Sequence, residues 1–146
     1  MRDFDNLVKC FLRGYTAISR DITGREDIEL FVERFYDRLM TDPFIGFLFT
    51  DSVDIDLREH LPIISDFWET VLFQKPAYKR GPHVMNVHLA LNQKVKLKHF
   101  HFRRWLHLFN KTVDEMFDGP VAERAKERSS SIAEVMKQRI GVMIEC

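Results

Sequence analysis

Six histidines, His60, His83, His88, His99, His101 and His107, carry most of this chain's scope for chemistry near neutral pH. Imidazole is the side chain that titrates there, and it is the commonest metal ligand. His88 stands apart because it sits in Val87-His88-Leu89-Ala90-Leu91. In such an apolar run an imidazole needs partners for its nitrogens or bears a desolvation cost. A backbone group can be such a partner, giving an ordinary core histidine, and so can a metal. Zinc fits poorly: there is no H-x-x-x-H or H-E-x-x-H pair, and Cys10 and Cys146 stand isolated. His99 and His101 are two apart, so they fall on different faces of a helix and are expected to be exposed. Haem asks less of a sequence, one imidazole and a large apolar slot, and 13 phenylalanines can line one. That composition permits haem without specifying it.

These residues must be positioned by helices, because apolar spacing is helical nearly everywhere. Phe4, Leu7, Val8, Phe11, Leu12 and Tyr15 form one stripe, the basis of an N-terminal helical extension over residues 1–22. Thr23 and Glu26 read as a T-x-x-E capping box ahead of Ile28, Phe31, Val32, Phe35, Tyr36 and Leu39, a stripe that must stop before Pro43. The connector over 41–56 holds Phe44, Ile45, Phe47, Leu48 and Phe49, too apolar to lie free. A third helix starts near Leu57 or His60, with Pro62 expected only in its first turn, and buries Leu61, Ile64, Phe67, Trp68, Val71 and Leu72. Residues 76–83 read as loop, and the short apolar run over 84–91 around His88 fits helix or strand.

A long helix over about 98–117 turns Phe102, Trp105, Leu106, Phe109, Val113 and Phe117 inward. Gly119 and Pro120 then open a last helix that buries Ala122, Ala125, Ile132, Ala133, Met136 and Ile140, with the serines at 129–131 expected on its surface. No repeat, linker or strand-forming run interrupts the pattern. The expectation is one all-α domain spanning 1–146.

Composition narrows the function classes. Lysine plus arginine and aspartate plus glutamate both total 22, so no single-sign field draws the chain to nucleic acid or an anionic membrane. Charges at Arg2, Asp3, Asp5, Lys9 and Arg13 break up any signal-peptide core, and no apolar run spans a bilayer. The isolated thiols suit a reducing cytoplasm.

Ordered segments add something more specific. They are Phe35-Tyr36, Ile45-Gly46 with Phe49, His60-Leu61-Pro62 through Phe67-Trp68-Glu69, His88 to Leu91, His101 to Leu106, and Leu108 to Glu115. Over residues 27–136 this series resembles the truncated haemoglobins of the third group, and the lack of the glycine pairs seen in other groups agrees. The resemblance implies a globin-like two-over-two helical sandwich around haem b, with His88 as the proximal iron ligand. It places Tyr36, Trp105 and His60 above the iron, where a phenol O–H or indole N–H stabilises a ligand that gains negative charge. His60 keeps three roles open: ligand donor, swinging gate, or distal iron ligand. Phe35, Phe49, Ile64, Phe67, Trp68 and Leu89 match pocket walls, while Tyr78, Arg80 and His83 are candidates to meet the haem carboxylates.

The resemblance thus implies a protein, monomeric or a weak dimer, that binds oxygen, NO or CO tightly and needs no assigned catalytic residue. A peroxidase-like or NO-detoxifying enzyme would use the same pocket and an external reductase, since the chain has no flavin or nicotinamide domain. A haem-free helical adaptor is the alternative of another class.

Overall fold

The stripe from Ile28 to Leu39 winds into α1 (Arg25–Met40), and its six expected core side chains are all buried. The computed structural model describes residues 20–52 and 56–142, so the expected N-terminal helix and both cysteines lie outside the described residues. After α1 come α2 (Phe47–Thr50), α3 (Leu57–Phe73), α4 (His83–Lys94), α5 (His99–Met116) and α6 (Pro120–Ile140), with no strand among the described residues. Helix α1 lies against α3 and α5, α5 lies against α6, and α6 also meets α3 and α4. The result is two layers of long helices, α1 with α3 and α5 with α6. No described helix is long and apolar enough to cross a membrane.

Small residues let α6 approach its neighbours: Ala122, Ala125, Ser129 and Ala133 recur at helical spacing and are all buried. Ser129 was expected on the surface but is 0% exposed. A serine can be buried there because its hydroxyl donates to the Lys126 carbonyl, 2.8 Å away. The apolar connector behaves as its composition demands, forming α2 and burying Ile45 and Leu48, although Phe44 and Phe47 remain exposed.

Helix starts show where carboxylates win. The Thr23–Glu26 box does not form; Gly24 is the N-cap of α1, and Thr23 instead donates its N–H and hydroxyl to Asp27 at 2.8 and 2.9 Å. Arg20 adds a bidentate contact at 2.7 Å, holding Asp27 at a pKa of about 2 against its burial. At α3, the Asp56 side chain accepts from Arg58 N–H, which fixes the start at Leu57 and leaves Pro62 in the second turn. Pro62 lies one turn deeper than expected, at the loss of the helical bond to the Arg58 carbonyl.

Helix α6 is capped from far away in sequence. Asp21 accepts from Val121 and Ala122 N–H at 2.8 Å each, where the N-cap Gly119 has no side chain to do so. Gly119 is required twice over: its φ is 149°, and a Cβ there would overlap the Asp21 side chain.

Candidate functional site

Six helices line one partly open cleft of about 150 Å³, the short α2 through Leu48 and Phe49. Helix α1 contributes Val32, Phe35 and Tyr36. Helix α3 contributes His60, Ile63, Ile64, Phe67 and Trp68, and α4 contributes His83, Val84, Val87, His88 and Leu91. These spacings of three, four and seven are the faces of helices, so the walls follow directly from the stripes. Trp105 and Phe102 of α5 and Met136 of α6 line it as well.

On the α4 wall, His88 Nδ1 lies 2.7 Å from the Val84 carbonyl oxygen. A carbonyl only accepts, so Nδ1 carries the proton and Nε2 keeps its lone pair, in a side chain that faces the cleft. Burial pushes the His88 pKa down, with the Val84 contact opposing, so the ring is neutral at pH 7. A neutral imidazole with one nitrogen tied and the other bare is a ligand ready for a metal.

On the walls from α1 and α3, Tyr36 Oη and His60 Nε2 are 2.7 Å apart. Burial raises the Tyr36 pKa far above its ordinary value, which keeps the phenol protonated. Burial also lowers the His60 pKa, helped by the nearby His83 and His88, so this ring too is neutral. Either Oη–H donates to Nε2, or Nε2–H donates to Oη and the hydroxyl proton turns into the cleft; the second arrangement offers a donor to a guest. Trp105 stacks on Phe109 at 5.2 Å and meets Phe35 edge-on at 5.3 Å. Its neighbour Arg104 grips the buried Asp42 through Nε and Nη2 at 3.1 and 2.6 Å, which ties α5 to the end of α1. Burial favours the acid form of Asp42, but Arg104 and the backbone N–H groups of Ile45 and Phe44 hold its pKa below the ordinary value.

No residue of α4 is fully buried, and His88 is half-buried. Its apolar residues Val84, Val87 and Leu91 all line the cleft, Val84 and Leu91 also packing against the core. An apolar guest is what such a face lacks.

No family profile and no curated protein matches the chain. Among solved structures, it superposes on the crystal structure of group III truncated hemoglobin from Campylobacter jejuni with a TM-score of 0.72, over 84% of this chain and 95% of that one, at 21% sequence identity. The fold is that of a truncated haemoglobin.

Within this truncated-haemoglobin fold most expected site residues gather on the cleft: Tyr36, His60, His88, Trp105, Phe35, Phe49, Ile64, Phe67, Trp68 and His83. Three do not. Leu89 points away and is 37% exposed, because one residue past His88 is about 100° around the helix. Arg80 is exposed, its carbonyl accepting from His83 N–H. Tyr78 stands behind the wall, edge-on to Phe67 at 5.4 Å. His83 opens α4 and is not part of the preceding loop.

Sequence reasoning missed His101, expected to be exposed. It lines the cleft half-buried because Lys98, the N-cap of α5, donates its N–H to His101 Nδ1 at 2.9 Å and turns the ring inward. His99 is half-buried too, with the Lys137 ammonium 3.4 Å from its Nδ1. The spacing to Lys98 was the available signal, since a side chain at the third helical position reaches back to the cap.

Proposed function

We propose that the chain is a haem protein that holds iron through Nε2 of His88 and captures diatomic ligands, oxygen, NO or CO, beside Tyr36, His60 and Trp105. The observation that supports this most strongly is His88 itself: Nδ1 committed to Val84, Nε2 bare, and a Tyr–His pair in the same cleft. The truncated-haemoglobin fold agrees with it. The chain has no C-x-x-C-H attachment motif, so non-covalent haem b is the form that fits.

The chemistry haem supplies when bound is reversible capture of a small ligand by its iron. His88 would hold the group through Nε2. Phe35, Phe49, Ile64, Phe67, Val84, Val87 and Leu91 line the cleft and would exclude water from the group. The Tyr36 hydroxyl and the Trp105 indole N–H present donors to a ligand that takes on negative charge, each such bond worth roughly 1.5–3 kcal/mol. Tight retention is the consequence. Peroxide or NO turnover with an external reductase is a second reading, favoured by the proton-sharing contact between Tyr36 and His60.

Absorption spectra of the purified chain, expressed with haem supplied, test the assignment in the ferric, ferrous and carbonmonoxy states. A Soret band that His88→Ala abolishes, or converts from its five-coordinate ferrous form, is expected. No Soret band in the parent chain would leave the haem-free adaptor, and an unchanged ferrous spectrum in His88→Ala would remove His88 as the ligand.

A further inference from the structure

We propose that Tyr78 is the positioning residue for His88, acting through the backbone of Val84. Helix α4 begins weakly: its N-cap is Pro82, no side chain caps it, and none of its residues is buried. Its first turn is held by the partial burial of Val84 and Met85 together with a small number of polar ties. Val84 sits at the centre of them. Its N–H leaves the helix and donates to Tyr78 Oη at 3.3 Å, while its carbonyl accepts from His88 Nδ1–H at 2.7 Å.

Tyr78 is itself anchored to α3. Its backbone N–H donates to Thr70 Oγ1 at 2.9 Å, and its ring meets Phe67 edge-on at an interplanar angle of 89°. A continuous path thus runs from the last turn of α3, through the phenol and Val84, to the imidazole. The phenol oxygen is an acceptor for an amide that the start of a helix leaves unpaired. By fixing Val84, it also fixes the carbonyl that sets the rotation of the His88 ring, and a firmly held Nδ1–H···O bond makes Nε2 a more basic donor. Tyr78 was expected at the haem carboxylates; this geometry gives it work behind the ligand instead.

The inference rests on His88 binding haem iron. In the haem-loaded full chain, Tyr78→Phe keeps the ring against Phe67 and removes only the hydroxyl. The iron–histidine stretching band of the unliganded ferrous protein, read by resonance Raman, should move to lower frequency. Transfer of haem to excess apomyoglobin should quicken about 10-fold. Thr70→Val, which frees the Tyr78 N–H, should shift the band in the same direction, and it decides the matter if Tyr78→Phe does not fold. A purely structural role for Tyr78 would alter stability but leave the band in place. An unmoved band with unchanged haem transfer overturns the role of Tyr78 while the haem reading stands. A parent chain without a Soret band overturns both.

Discussion

Replacing Tyr36 by phenylalanine deletes one atom from the cleft. The ring stays in its niche, edge-on to Phe35 and Phe49 at 6.1 Å each and to His60 at 5.1 Å, so packing is preserved. What disappears is a donor, in a side chain only 8% exposed, where water cannot replace it. A hydrogen bond to a charged acceptor is worth roughly 1.5–3 kcal/mol, which converts to oxygen dissociation faster by about 10- to 150-fold. Association should change little, since no charge is moved. The same substitution strips His60 Nε2 of its 2.7 Å partner and frees that ring to donate in place of the phenol. The lower end of the range is thus expected for Tyr36→Phe alone, and the upper end once His60→Leu is added, a non-additivity that a double-mutant cycle measures. Stopped-flow displacement of oxygen by carbon monoxide gives the rates. A change below about two-fold in both variants would refute the assignment of the Tyr36–His60 wall to ligand retention.

Haem removal should fall hardest on α4: by hydrogen exchange its amides should be among the least protected of the apo chain and gain protection when haem is added, since none of its residues is buried otherwise. Gly119→Ala should lower stability by about 3 kcal/mol, read as a lower urea midpoint at constant slope, because the φ of 149° and the adjacent Asp21 both resist a side chain. Acid should expose the Asp27 contact. Its pKa in the fold is about 2 against an ordinary 3.8, so its contribution is present above about pH 4 and lost as pH falls towards 2. That contribution is about 1–2 kcal/mol after allowance for the exposed Arg20 partner, and Asp27→Asn should flatten this limb of the stability curve.

The helices and the principal walls were legible because both follow from one periodicity. A stripe such as Ile28 to Leu39 names a helix and its buried face together, and Tyr36 lies on it; the apolar run around His88 was too short to separate helix from strand, and it forms α4. What was not legible depended on polar atoms choosing among partners. Thr23 had Glu26 within reach in sequence, but Asp27 had Arg20 to neutralise it and could accept several donors while buried. Ser129 looked like surface until its hydroxyl was spent on its own helix. His101 was turned inward by one backbone N–H. Leu89 and Tyr78 show the other limit: nearness in sequence to His88 says nothing about facing the same space, which only the helix phase and the path of the loop decide.

The clasp of Asp21 on the start of α6 joins residues a hundred positions apart in sequence. During synthesis the carboxylate leaves the ribosome long before the amides that it caps, and at about 5–20 residues per second the interval is several seconds. Through that time α1 and α3 can assemble while Asp21 stays in water. The last helix therefore closes the domain from both ends of the described chain, and a nascent chain stopped short of Val121 would lack not only α6 but the anchor for its own beginning.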